Sequence, residues 1–312
     1  MNKHCISIWI AVTGLFFCQF SFAQEALNVS GSRVVMMPPA GFSKAEKFSG
    51  FQNEDLQSSI MVTEMAAPYP QMVAGFDEAH LASRGMKLIS KTSSPVGTLK
   101  GELIEISQAV QGIDYHKWIL AFGDQGLTVL ITATFPEKNA DKLSELLKTA
   151  LLSTKYDASL PSPLQQTDMN FSVSPVAGLK LAARVQNSLV FNESGALPKT
   201  KLSGTPTVFV AAQALSNLAI DDRAAFARNR LRQTKDISNL QIVSEKDVKI
   251  GGLPGREILA TGDGKDGEKA FIFQIMLYGS GSYFIMQGHC DASLQGTKIF
   301  VFSDITNTFK VK

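Results

Sequence analysis

The chain has 312 residues, of which 45% are hydrophobic and 19% are charged, with a formal net charge of +2. This length is sufficient to bury a sizeable apolar core. The nearly neutral charge argues against nucleic acid as the main partner, because phosphate binding needs a concentrated positive field. The sequence has three cysteines, and two of them fall within the first 18 residues, so no internal disulfide is expected after export.

Residues 1–23 predict a secretory signal peptide. Lys3 supplies the positive start, residues 6–17 form the apolar stretch, and small residues lead up to cleavage after Ala23. The apolar stretch is too short to span a bilayer comfortably, so we expect no transmembrane segment in the mature chain. A lipoprotein alternative would use Cys18, although a bulky residue precedes it. The sequence therefore predicts a periplasmic or secreted protein.

Residues 24–154 predict a domain in which strands precede a closing helix. An edge-like strand is expected first, at 33–37, and further strands are expected at 48–51, 59–65, 86–90, 101–108, 115–122 and 127–135. Helices are expected at 72–84, with Gly85 as its stop, and at 140–152, with Asn139 as its cap. Leucines recur along one face of the second helix. This order is typical of an antiparallel sheet covered by helices, an α+β layer fold.

The same pattern recurs in the second half of the chain. Three sequence matches occur in the same order, pairing 37–42 with 174–179, 96–102 with 250–256, and 118–123 with 274–279. Residues 155–168 contain two prolines and predict a linker of extended conformation. The second domain is then predicted at 169–312, with strands at 207–212, 256–261, 270–278 and 283–289, and with helices at 221–234 and 294–309.

Each half resembles the PsbP-like and DcrB-like superfamily. The resemblance rests on the Pro-Ala-Gly-Phe entry at 39–42, the Gly-Phe strand at 50–51, the Ser-Ser-Ile strand at 58–60, the hairpin at 96–118 and the leucine-rich closing helix. It covers nearly all of the first half and, less well, the second. It implies two tandem α/β/α-sandwich domains, each with a mainly antiparallel sheet and flanking helices. Members look like binding or assembly modules, and the resemblance implies no active-site residue.

The string Gly262–Gly267 fits the G-x-G-x-x-G template of dinucleotide binding. Such a loop must leave a strand and open a helix, so that backbone amides face the pyrophosphate. Here the loop lies between two predicted strands, which indicates a hairpin turn. No metal-ligand motif, P-loop or serine-hydrolase elbow accompanies it. We therefore assign no cofactor, metal or catalytic residue from the sequence.

Two histidines could have either a functional or a purely structural role. His116 shares a predicted strand face with Trp118, which favours a partly buried position. His289 and Cys290 look like a base and a nucleophile, but neighbours on a strand point to opposite faces. We therefore interpret Cys290 as a free thiol in the core or at its edge.

The predicted helix at 221–234 carries four arginines, with Arg228 and Arg232 on one face. The candidate interaction residues of the sequence are thus His116, Trp118, Arg228 and Arg232. The favoured function is an exported, non-enzymatic module that binds an unknown envelope protein or membrane component, either within one domain or where the two meet. Two alternatives stay open: an enzyme with a dispersed site around His116 or His289, and a membrane-surface role of the arginine-bearing helix.

Overall fold

The computed structural model describes residues 25–110, 112–164, 169–197, 204–215, 217–279 and 281–312. The predicted signal peptide, residues 1–23, lies outside these ranges. Two seven-stranded antiparallel sheets dominate the fold, and each is the centre of one α+β domain. The predicted fold class, two α/β/α-sandwich domains, is confirmed.

Among its described residues, the first domain has ten strands and three α-helices. The strands are β1 (Leu27–Asn28), β2 (Val34–Met36), β3 (Ser43–Lys44), β4 (Gly50–Asn53), β5 (Ser58–Met65), β6 (Met86–Ser93), β7 (Lys100–Val110), β8 (Ile113–Gly123), β9 (Thr128–Pro136) and β10 (Lys155–Tyr156). The helices are α1 (Tyr69–Ala74), α2 (Glu78–Ala82) and α3 (Ala140–Leu152). The large sheet has the order β3-β4-β5-β9-β8-β7-β6, and β1, β2 and β10 form a separate small sheet.

In the part of the second domain that the structure describes, there are nine strands and two α-helices. The strands are β11 (Phe171–Ser172), β12 (Lys180–Val185), β13 (Ser188–Asn192), β14 (Val208–Gln213), β15 (Ile237–Ile250), β16 (Leu253–Gly264), β17 (Lys269–Gly279), β18 (Ser282–Asp291) and β19 (Lys310–Val311). The helices are α4 (Arg223–Arg232) and α5 (Gln295–Asn307). The large sheet has the order β12-β13-β14-β18-β17-β16-β15, so the seven strands of the two sheets are arranged in the same sequence.

The helix predicted at 72–84 is two short helices, so the prediction of one continuous helix was wrong. Gly75 caps α1, and the Asp77 side chain then accepts a hydrogen bond from the backbone N–H of His80 at 2.8 Å to begin α2. Each helix thus has its own end signal. The predicted cap of α3 was also wrong in its chemistry, because the Asn139 amide donates to the Leu56 carbonyl at 3.2 Å instead of capping the helix.

The strand predicted at the edge of the first sheet is the centre of the small sheet instead, because β2 pairs with both β1 and β10. A buried carboxylate joins this small sheet to the large one. Glu64 on β5 accepts hydrogen bonds from Arg33 Nε at 2.7 Å and from the Tyr156 hydroxyl at 3.2 Å. The first two residues of the predicted linker therefore pair within the first domain.

Helices cover both faces of each large sheet. In the first domain, α3 packs on a core that includes Leu120 and Phe122, whereas Tyr69 and Leu81 of α1 and α2 pack on the other face. In the second domain, α5 covers a phenylalanine-rich core, and α4 covers part of the opposite face. The alternation of buried and outward side chains along each strand supplies both cores.

The two domains meet where β12 lies beside β5. Arg184 on β12 is buried, and its Nη2 donates to the Ser49 hydroxyl at 3.0 Å. Its guanidinium packs directly against Gly31, where an added Cβ would lie 2.2 Å from Nη1. Lys47 also donates to the Asn217 side chain at 2.7 Å. These contacts join the second sheet to the first domain.

Candidate functional site

Helix α4 covers only half of its face of the second sheet. Its residues Ala227 and Leu231 pack on β16 and β17, and the buried Gln274 amide on β17 donates to the Ala227 carbonyl at 2.9 Å. At the helix start, the Tyr278 hydroxyl donates to the Arg223 carbonyl at 2.7 Å. These contacts hold α4 over β16 and β17, and no helix of the described residues lies over the same face of β13, β14 and β18.

The uncovered half of this face is the floor of a cleft of about 610 Å³. Cross-strand pairing puts Ser188, Ala212 and Ile285 in one row. The adjacent row contains Val210 opposite Gln287. Since alternate residues of a strand share a face, His289 extends the same surface along β18. The cleft floor is therefore apolar at one end and polar at the other.

The walls of the cleft come from the end of α4 and from two connections. The α4–β15 connection supplies Asp236, and the β16–β17 turn supplies Lys265, whose ammonium lies 2.7 Å from the Asp236 carboxylate. Asp266 in the same turn accepts a hydrogen bond from the backbone N–H of Gly204 at 3.4 Å. These contacts tie together segments that are distant in sequence and define one end of the cleft.

His289 offers an uncharged imidazole to the cleft. Burial lowers the pKa of His289 below its usual value, and the negative charge of Asp236 opposes this only in part. Among the described residues, no hydrogen bond reaches either ring nitrogen. A neutral imidazole carries one donor and one acceptor, so both functions are open to a ligand.

Two cations of the cleft wall have no ion-pair partner among the residues that the structure describes, Arg230 and Lys235. Arg230 Nη1 donates to the Gln233 side chain at 2.5 Å, which fixes the guanidinium. Its Nε is buried and makes no hydrogen bond to the described residues. Among the described residues, the Nη2 of the same guanidinium also has no hydrogen-bond partner.

Another depression, of about 690 Å³, lies beside β15 and β16. Its charged groups are already paired with each other. Asp263 accepts from Asn239 Nδ2 at 2.8 Å and from Lys269 Nζ at 2.5 Å. The cleft beside α4 is the stronger candidate binding site, because Lys235 and Arg230 line it without an ion pair, and His289 without a hydrogen bond to its ring, among the described residues.

The strand register provides an internal comparison between the two domains. Pro136 and Asp291 end corresponding strands, and each is followed by a 3₁₀ turn and the closing helix. The position of His289 therefore corresponds to Thr134, and the position of Gln287 corresponds to Thr132. The polar groups of the cleft are thus a property of the second domain.

The structure places His116 and Trp118 in the interior of the first domain. His116 lies between two carboxylates, with Nε2 2.9 Å from Glu105 and Nδ1 3.1 Å from Glu137, and its ring stacks on Phe135. Trp118 is buried, and its indole N–H donates to the Ser144 hydroxyl at 3.0 Å. Both side chains are engaged in the packing between sheet and α3.

Arg228 and Arg232 lie in the second domain, so the four predicted interaction residues are not brought together. Arg228 forms a two-pronged contact with Glu245, at 3.0 Å from Nε and 2.6 Å from Nη2. This hydrogen bonding holds the pKa of Glu245 below its usual range. Arg232 donates to Asn229 on the same exposed helix surface. The arginine that lines the cleft is Arg230, which is not among the interaction residues predicted from the sequence.

The remaining sequence motifs have ordinary structural roles. The loop at 262–267 connects β16 to β17, as the hairpin interpretation predicts. Cys290 is a buried free cysteine in the phenylalanine-rich core, and burial raises the pKa of its thiol to about 11. It faces away from His289, so these two residues do not form a nucleophile–base pair.

Sequence reasoning missed the cleft because five separate segments build it. One local signal was present: Ile285, Gln287 and His289 share a face of a strand whose alternate residues are strongly apolar. Polar residues on one face of a central strand indicate that this face is incompletely covered. Without the position of α4, the signal does not specify a cleft.

No family model matches the chain, and no curated protein matches it. Similar solved structures include LpqN, involved in cell envelope biogenesis of Mycobacterium tuberculosis, with 14% identity and a TM-score of 0.34 over 50% of this chain and 86% of that one. A cyanobacterial PsbP from Synechocystis has 12% identity and a TM-score of 0.33 over 43% of this chain and 92% of that one. The immunity protein TplEi of the T6SS of Pseudomonas aeruginosa, complexed with "L" peptide, has 12% identity and a TM-score of 0.31 over 88% of this chain and 99% of that one.

These structures include a PsbP, a member of the superfamily that the sequence resembles. At such identities and TM-scores, the likenesses say nothing of what this chain binds. Within the described ranges, no group of three or more His, Cys, Asp or Glu side chains is placed to hold a metal ion. No helix of the described part of the chain is long and apolar enough to cross a membrane.

Proposed function

We propose that this chain is an exported envelope protein that binds another envelope component without transforming it, and that the cleft beside α4 is its binding site. One observation carries the proposal. Among the described residues, a guanidinium and an ammonium without an ion-pair partner and an imidazole without a hydrogen bond converge on the uncovered half of a sheet face. Concave sites with an apolar surface and a few convergent polar groups are typical of ligand binding.

The arrangement favours binding over covalent catalysis. A catalytic nucleophile needs a base within hydrogen-bond reach. Here the thiol nearest to His289 along the chain belongs to Cys290, which lies in the core on the opposite side of the sheet. The groups that face the cleft are donors and acceptors suited to holding a ligand in one orientation.

The export signal at 1–23 and the tandem organisation belong to the same proposal. We place the domains at 24–154 and 169–312 with the linker at 155–168, whose first two residues form β10 and pair with β2 of the first domain. The common strand order of the two large sheets supports a duplication. After duplication, one copy can acquire a site while the other retains the scaffold. The threonines at the corresponding positions of the first domain support this division.

Filling the cleft tests the proposal. Ala212→Trp puts a large side chain on the cleft floor, and Ser188→Phe does so from the neighbouring strand. Phe300→Trp is the control, because Phe300 lies on α5 and is 69% exposed. Each protein would begin at Gln24, and the fold of its second domain would be checked by circular dichroism and by hydrogen exchange of β14, β17 and β18.

The measurement is thermal unfolding in the presence of neutral, anionic and cationic small organic compounds. A ligand at about 100 times its Kd stabilises the folded state by about 2.7 kcal/mol. We expect a set of compounds to raise the Tm of the wild type and of Phe300→Trp, with the response lost in both cleft-filling variants. If no compound stabilises the wild type, or if the filled variants respond fully, the proposal is wrong.

A further inference from the structure

The charges around the cleft specify the kind of ligand head group that it can take. Arg230, Lys235 and Lys265 contribute three positive charges, and Asp236 and Asp266 contribute two negative ones. Lys265 is neutralised by Asp236 at 2.7 Å. The charges without a counter-ion among the described residues are therefore Arg230 and Lys235 near the end of α4, and Asp266, whose carboxylate accepts the backbone N–H of Gly204.

The shape of the donors favours a carboxylate. A guanidinium presents N–H groups in a planar fork that matches carboxylate oxygens, and Arg230 uses only Nη1 in a hydrogen bond to the described residues, which leaves Nη2 open. A dianion such as phosphate would gain less in this position, because the carboxylates of Asp236 and Asp266 lie in the same wall. Since the lining carries three positive and two negative charges, a ligand with one negative charge neutralises the cleft.

The rest of the ligand must match an apolar surface. The floor beyond the polar end is made by Val210, Ala212 and Ile285, all incompletely covered. A volume of about 610 Å³ falls within the range of clefts that enclose a molecule of drug size. A ligand with only a charged head group would leave this apolar floor in water.

Resting on the proposed binding function, we propose that the cleft binds a monocarboxylate with an apolar body. Its carboxylate lies at Arg230 and Lys235, and its apolar part lies on the floor of the cleft. His289 contributes one hydrogen bond to the ligand and adds no positive charge. A free fatty acid and the carboxyl end of an apolar peptide share this chemistry.

Isothermal titration calorimetry with the mature chain tests the inference with defined probes. Four probes separate the effect of charge from that of apolar surface: decanoate, decanol, decylammonium and inorganic phosphate. Decanoate and decylammonium are kept below their critical micelle concentrations. Acetyl-trileucine with a free or an amidated carboxyl terminus separates the peptide source from the fatty-acid source. We expect a single site for decanoate or for the free-acid peptide, with little heat from phosphate, decylammonium or the amide.

Two charge-matched variants locate the site. Arg230→Gln and Arg232→Gln each remove one positive charge from the same helix, but Arg232 bonds to Asn229 outside the cleft. We expect Arg230→Gln to weaken carboxylate binding at least about tenfold, since hydrogen bonds between charged groups are among the stronger ones. Arg232→Gln should stay within about twofold of the wild type, because only long-range, screened charge is lost.

The results distinguish a failure of the carboxylate inference from a failure of the proposed binding function. If decanol or decylammonium binds as well as decanoate, and Ala212→Trp abolishes that binding, the cleft is a binding site but the carboxylate inference is overturned. Equal losses in the two arginine variants would also overturn it, as would phosphate binding as tight as decanoate binding. If no probe binds the wild type, the carboxylate inference fails, and the compound screen described above decides the binding function separately.

Discussion

Replacing Phe302 by alanine tests the packing that supports the cleft from below. Phe302 on α5 is fully buried, with its ring 6.0 Å from those of Phe209 and Phe273. The ring lies directly on Gly288, where an added Cβ would come within 2.6 Å of it. So close a fit leaves a cavity when the ring is removed. The expected loss is about 3–5 kcal/mol in the free energy of unfolding.

Phe300→Ala is the matched control in the same helix. Phe300 is 69% exposed, so its removal should change the stability by no more than about 0.5 kcal/mol. Since a domain is stable by only about 5–15 kcal/mol, the Phe302 variant should lose a large part of its margin. The two substitutions share their chemistry, their helix and nearly their position, and they differ in burial.

The assay follows each domain separately. The chain has two tryptophans, one of them at position 9 within the predicted signal peptide, so Trp118 fluorescence reports the first domain of the mature protein. Hydrogen exchange of β14, β17 and β18 in increasing urea reports the second. A loss below about 1 kcal/mol for Phe302→Ala, or an equal loss for Phe300→Ala, would refute the packing described for α5.

Three further predictions follow from single buried groups. Burial lowers the pKa of His289, so its contribution to the free energy of unfolding is full above about pH 6.5 and is lost as the pH falls. His289→Gln should reduce the difference in stability between pH 7.5 and pH 5 in urea titrations. An equally large difference in the variant would contradict this. Cys290, with its pKa raised to about 11, should resist iodoacetamide at pH 8 until the domain unfolds, and rapid labelling of the native protein would contradict its burial. Arg184→Met removes the hydrogen bond to Ser49 and should enlarge the radius of gyration in X-ray scattering while both domains stay folded, whereas an unchanged radius would show that this joint does not hold the domains.

The sequence predicts the central strands well because their periodicity is strong. β7, β8, β9 and α3 were placed within a few residues, since alternating and helical patterns of buried side chains run through them. β15 was missed, because most of its residues are exposed and it lies at the sheet edge, where charged side chains are tolerated. β12 and β13 were missed because they are short strands around a tight turn.

The cleft could not be predicted because it depends on tertiary placement. Arg228, Arg230 and Arg232 are similar in sequence, yet the structure assigns one to an ion pair with Glu245, one to the cleft and one to solvent. The difference arises from where α4 lies on the sheet, which no local pattern encodes. The same holds for His116, the candidate residue in the first domain. Its burial between two carboxylates depends on the strand register and on the connection to α3, and neither can be read from the local sequence.

Methyl NMR of the mature chain titrated with decanoate tests the central claim most directly. Signals labelled at alanine and isoleucine report the cleft through Ala212 and Ile285, and the first domain through Ala121 and Ile104. The account predicts saturable shifts at the two cleft methyls, with the first-domain signals unchanged and the response lost in Arg230→Gln. Shifts that do not saturate, or that are largest outside the second domain, would contradict a binding site beside α4.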